Sequence, residues 1–201
     1  MIIKDALKKT NASDGILVMY RMLVPAPETG EVYDELVGYC RYRKTERGGE
    51  LVPEDGDTYG GLDTPIDGYE YVPATEKDEE YLIVWEKLAL IEFPLKKKWF
   101  DMILSGEKKE EYREMKEYWY VRFRNIFPFV KNTTIPVEKD WAKYWVLFRN
   151  GYGKNRPSFY AEVSLKRGHG KPEWGAEPEK EYYVLTIHNI VPSERIKQKM
   201  P

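Results

Sequence analysis

Three side chains able to hold an anion or move a proton crowd one short stretch of the chain. Lys108, Glu111 and Arg113 follow Gly106 in a string that reduces to G-x-K-x-x-E-x-R. An ammonium, a carboxylate and a guanidinium this close together are costly to bury and useful at the mouth of a cleft. The planar fork of Arg113 matches a phosphate in bidentate fashion, Lys108 adds a point charge, and Glu111 orients the arginine or accepts from a base amino group. Lys108 and Glu111 can also exchange protons in a reaction, where burial lowers the lysine pKa or raises that of the carboxylate. The alternative is structural: an ion pair of Glu111 with Arg113 or Lys108 that pins a strand to a helix.

Other residues extend that chemistry. Tyr118 and Trp119 follow the string directly, and an exposed aromatic beside cations stacks on an unpaired base for about 1–3 kcal/mol; core packing is the competing use of Trp119. Trp174 lies in a loop rich in Gly and Pro, where Lys171 and Glu173 flank it and the loop can form a lip over a cleft. Arg149, with Asn150, Lys154 and Arg156, places positive charge around one hairpin that would track a phosphate backbone. Lys96, Lys97 and Lys98 either lengthen such a rim or form a solvated helix face. His169, with no neighbouring Asp or Cys, reads as an exposed turn residue.

The elements that must position these groups are legible around them. A buried strand over 88–93 ends at Pro94, a residue suited to the first turn of a helix over 95–105, whose apolar stripe is Leu95, Trp99, Met102 and Ile103. Gly106 stands where a helix end needs a left-handed backbone. Alternation over 110–113 sets Glu111 and Arg113 on one strand face and Glu110 and Tyr112 on the other, with Lys108 in the turn. A second helix is expected over 117–127, an irregular loop over 128–140, and strands over 143–150, 158–167 and 182–191, the first two joined by a Gly151/Gly153 hairpin loop. Before residue 88 the pattern gives a helix over 2–10 and strands over 16–24, 35–43, 69–72 and 81–85, with acidic loops at 53–68 and 73–80. The expected division is a small β-rich module over 1–87 and a second domain over 88–201.

Strand, helix, G-x-K-x-x-E-x-R and a late Pro-x-Trp-Gly loop together resemble the ASCH domain, over roughly residues 88–191. The stretches EYREMKEYW (111–119) and KPEWGA (171–176) resemble the short ASCH proteins of bacteria and their prophages. The resemblance implies an α+β protein with a PUA-like β-barrel and flanking helices, and an RNA- or nucleotide-binding role. The ligand-binding set is then Gly106, Lys108, Glu111, Arg113, Trp119, Arg149, Lys171, Glu173 and Trp174, and the ligand is RNA, a nucleotide or a modified nucleoside. Some ASCH proteins are amidohydrolases that remove an acyl group from modified cytidine with a lysine and a threonine of this motif plus a distant glutamate. Lys108 holds the lysine position and Glu111 the threonine position, so an amidohydrolase or ribonuclease here uses Lys108 and Glu111 as its catalytic residues. A further alternative is a phage-related module for protein interaction.

Composition narrows the remaining classes. Cys40 is the lone cysteine and His169 and His188 are the only histidines, with no metal-binding spacing, so neither a metal nor a cofactor is expected. Asp55, Asp57 and Gly60 match three positions of a calcium loop, but Tyr59 and Ile66 occupy ligand positions and break it. The charged start and the lack of a long apolar run predict a cytoplasmic protein without a membrane span. The net charge of −2 divides into −9 over residues 1–90 and +7 over 91–201. That asymmetry fits a basic module facing an anionic partner, or an acidic module that docks on it, imitates nucleic-acid charge, or binds a protein partner through residues 1–87.

Overall fold

The computed structural model describes residues 1–26, 29, 31–54, 61–89, 91–124 and 143–200. The broken calcium pattern at 55–60, the last positions of the helix expected over 117–127 and the loop expected over 128–140 lie outside them. The protein is α+β: the described residues form ten strands in two five-stranded sheets, with four α-helices. Both sheets curl, one of them into a half-barrel. The chain divides into two units, Met1–Leu88 with Arg195–Pro201, and Ala89–Glu194.

In the first unit, helix α1 (Ile3–Lys9) lays Ile3, Ala6 and Leu7 on a sheet of β1 (Leu17–Pro25), β2 (Val32–Arg43), β3 (Glu50–Pro53), β4 (Ile66–Val72) and β5 (Tyr81–Glu86). The spatial order is β3-β2-β1-β5-β4. β1 runs antiparallel to β2 and parallel to β5. Alternation carries Val18, Tyr20, Cys40, Leu82 and Val84 to the covered face. Each large apolar side chain buried this way contributes about 1.5–3 kcal/mol.

In the second unit the chain forms β6 (Glu92–Leu95), α2 (Lys97–Leu104), β7 (Glu110–Glu114) and α3 (Glu117–Arg124), then β8 (Tyr144–Asn150), β9 (Ser158–His169) and β10 (Glu181–Pro192). The order β6-β8-β9-β10-β7 puts β6 and β7 at opposite edges, and α2 connects them. β6 is parallel to β8; the other pairs are antiparallel. Phe93, Phe100, Ile103, Phe123, Phe148 and Phe159 fill the core, with ring centroids of Phe100 and Phe159 4.9 Å apart.

Several elements differ from their sequence expectation for identifiable reasons. Pro94 lies inside β6 and the helix starts later, after Lys96, whose backbone is extended (φ −66, ψ 145). An edge strand accepts a proline because one row of its backbone groups has no ladder partner. The four-residue β3 pairs with β2 and was not foreseen, since so short a run shows no period. Pro172–Trp174 makes a 3-10 turn in the loop expected to be irregular, and α4 (Ser193–Lys197) crosses into the segment that belongs with the first unit. Among the described residues no helix is long and apolar enough to cross a membrane.

Candidate functional site

The G-x-K-x-x-E-x-R string is shaped by the end of α2. Gly106 has φ +79, its N–H donates to Ile103 O at 2.9 Å, and the Lys108 N–H donates to Met102 O at 2.9 Å. The glycine therefore reverses the chain and ties the Lys108 backbone to the last helical turn. In β7, Glu111 pairs with Leu185 and Arg113 with Tyr183, so both acquire the core-facing side of β10. Tyr112 faces the other way, packs on Tyr182 and donates its hydroxyl to Glu110 at 2.9 Å.

Glu111 carries both cations. Lys108 Nζ is 2.8 Å from Glu111 Oε2, an off-axis ion pair without hydrogen-bond geometry, and donates to Trp174 O at 2.8 Å. It also lies 4.4 Å from the Trp99 ring centroid and 5.1 Å from that of Tyr112. Arg113 pairs through Nη1 with Glu111 Oε1 and donates to Tyr112 O at 2.8 Å. Its guanidinium is 5.0 Å from Phe93 and 5.1 Å from Trp119. Lys108 and Glu111 are 2% and 4% exposed, so the trio neutralises part of its own charge and retains one net positive charge. Burial pushes the Lys108 ammonium below the usual lysine range, against the attraction of Glu111. Burial likewise pushes the Tyr112 phenol up.

The trio is not closed over. It borders an open cleft of about 670 Å³ whose sides carry Trp99, Tyr112 and Trp174 and whose rim carries Lys96, Lys97 and Tyr152. Glycines set this shape. At Gly175 (φ +92) a Cβ would come within 2.6 Å of Trp99 Cζ2, so the loop can press on that indole only with glycine there. At Gly170 a Cβ would meet Ala176 at 2.6 Å and the Tyr112 ring at 2.8 Å. On the opposite side the Gly151 N–H donates to Leu95 O at 2.8 Å, which anchors the β8–β9 hairpin to the end of β6. Tyr152, the next residue, is 87% exposed.

Of the residues singled out in the sequence, Lys96, Lys97, Lys108, Glu111, Arg113, Asn150 and Trp174 line this cleft. Gly106 acts through the helix cap rather than as a lining residue. Trp119 stacks on Phe93 at 5.3 Å and is drawn into the core, as its hydrophobic bulk favours. Arg149 pairs with Glu92 at 2.9 Å and donates to Lys154 O at 2.7 Å, leaving the cleft to its neighbours Asn150, Gly151 and Tyr152. Lys171 lies over the Trp174 ring at 4.2 Å, and both it and Glu173 are exposed on the loop without lining the cleft. His169 is exposed and meets Lys180 O at 3.2 Å through Nδ1.

Trp99 and Tyr152 are among the lining residues that sequence reasoning missed. Trp99 read as part of an apolar stripe, and only the approach of Gly175 and Lys108 reveals its second face as a cleft wall. Tyr152 had a signal, an aromatic held between two turn glycines, where no core can receive it. Ser164 and His188 meet at 2.9 Å, a spacing that nucleophilic hydrolysis uses, but the serine is 1% exposed and out of reach of a substrate. Among the described residues no group of three or more His, Cys, Asp or Glu could hold a metal ion. Comparison of the chain with protein-family models, with curated proteins and with solved structures finds no match.

Proposed function

We propose that the second unit is an ASCH-type, PUA-like binding module that holds a nucleotide, a modified nucleoside or a short unpaired RNA segment in the cleft above Lys108, Glu111 and Arg113. The observation that carries this reading is the pairing of aromatic faces with cations around one hollow: Trp99, Trp174 and Tyr152 beside Lys96, Lys97 and Arg113. Its volume falls within the roughly 300–1,000 Å³ typical of small-molecule pockets. Stacking on such rings contributes about 1–3 kcal/mol per base, and the lysines supply the salt-sensitive contribution from phosphate. Titration with nucleoside monophosphates and a labelled single-stranded RNA tests it, read by tryptophan quenching and repeated at rising salt. Replacing Trp174 with Leu should weaken binding by about tenfold or more. Binding indifferent to that substitution, or none at all, overturns the proposal.

One observation favours a second reading as a hydrolase. Lys108, with its pKa lowered, and Glu111 stand together at the cleft floor, which suits proton transfer during hydrolysis of an acyl amide on a nucleoside. The protein incubated with acetylated cytidine would then release acetate and cytidine, faster as pH rises through the lowered Lys108 value, and Lys108→Ala would abolish the reaction. Salt-sensitive binding without turnover supports the binding module instead.

A further inference from the structure

The first unit is rich in acid, yet one of its hollows is lined by cations. A pocket of about 260 Å³ opens beside α1, with Lys4 and Lys8 one helical turn apart and Lys44, just past β2, also on its lining. All three lysines are exposed, and none has a carboxylate partner among the described residues. Two nearby acids accept backbone hydrogen bonds, while Glu46 and Asp63, close in the chain to the lining residues Gly48 and Leu62, are exposed. Asp5 accepts from the Ile2 N–H at 3.3 Å, and Asp14 accepts from the Lys44 backbone N–H at 2.5 Å. Across the same unit, Arg41 takes Glu54 at 2.7 Å and Glu79 at 2.6 Å.

The pocket is also braced. The Lys4 N–H donates to Leu62 O at 2.9 Å, which fixes α1 to the chain lining the pocket's edge. Tyr42 Oη donates to Gly48 O at 3.1 Å, and a Cβ on Gly49 would come within 2.5 Å of the tyrosine ring. Leu7 and Leu62 give the lining an apolar part beside that ring.

We propose that this pocket binds a phosphate or phosphomonoester group. Three compact ammonium charges with no carboxylate partner among the described residues favour a multiply charged anion. The volume is below the roughly 300 Å³ at which pockets for whole drug-sized ligands begin, which selects a small charged group. Leu7, Leu62 and Tyr42 accommodate the carbon side of an ester. The site is independent of the cleft in the second unit and of the function proposed for it.

The test is a titration of the full chain with inorganic phosphate, pyrophosphate and phenyl phosphate at low ionic strength, followed by backbone amide shifts. Saturating shifts at Asn11, Gly48 and Leu62 are expected. Lys8→Gln or Lys44→Gln should raise the dissociation constant about tenfold, the loss for one charge-assisted hydrogen bond, while Lys44→Arg keeps binding. Phenyl phosphate binding more tightly than phosphate identifies an ester on a larger molecule as the source; the reverse order identifies the free anion. The proposal fails if the shifts do not saturate, if they persist in a Lys8→Gln/Lys44→Gln protein with an otherwise unchanged spectrum, or if Lys77→Gln, outside the pocket, weakens binding equally.

Discussion

Glu111 is the acid between buried Lys108 and partly buried Arg113, and its removal is the most damaging polar change at the cleft. Glu111→Gln leaves Lys108 and Arg113 facing each other without a counterion, and breaking a buried pair in this way costs about 3–5 kcal/mol. Urea unfolding of the variant measures it; a loss below about 1 kcal/mol would mean that water screens the trio. Lys108→Met has a different signature. The folded-state pKa of Lys108 lies below its ordinary 10.5, so between that lowered value and 10.5 the unfolded chain holds more protons. The stability of the parent protein therefore rises with pH across that window and falls as pH drops through the lowered value. In Lys108→Met this rise should be missing from denaturation curves taken over the alkaline range. At this scale the sequence was informative about which residues meet, because period-two alternation and a helix-ending glycine are local. Burial was not legible, because it depends on Trp99 and the Trp174 loop arriving from distant parts of the chain.

Elements explain why the cleft keeps its form. The loop from Gly170 to Ala176 is held by a 3-10 turn, by the Lys171 N–H donating to Tyr112 Oη at 3.0 Å and by the close fit of Gly175 on Trp99. Gly175→Ala adds about 1–2 kcal/mol of left-handed strain and a collision with the indole. Gly15→Ala supplies the control, since Gly15 has φ +87 and open space where its Cβ would go. The expected outcome is a larger fall in melting temperature for Gly175→Ala, together with a changed tryptophan emission that Gly15→Ala lacks. The helix α2, the cap and β7 could be read from the chain because each carries a local period or breaker. Pro94 misled because the proline rule for helix starts and the proline rule for edge strands give the same local pattern. Only the pairing of β6 with β8 separates them. β3 and α4 fell below the length at which a period can be counted.

On the scale of the whole molecule, two cores are built from separate residue sets, one around Tyr20 and Leu82 and one around Phe93 and Phe148. Leu82→Ala should destabilise the first by about 2–5 kcal/mol. Because every lining residue of the aromatic cleft belongs to Ala89–Glu194, ligand affinity there should be unchanged while the protein remains folded. A parallel loss of affinity in a binding titration would show that the cleft depends on the first core. The charge division visible in the sequence is softened by the fold, since Arg195, Lys197 and Lys199 join the acidic unit.

That return of the chain has a consequence for how the molecule is made. The second unit is spliced into the first, so a ribosome must finish all of Ala89–Glu194 before it delivers the segment with Ile196, which is 1% exposed when folded. At about 5–20 residues per second the delay is roughly 5–20 s. During that interval the earlier-born half waits incomplete, a natural client for chaperones, and the insert can close its own sheet only when β10 emerges at the end of the wait.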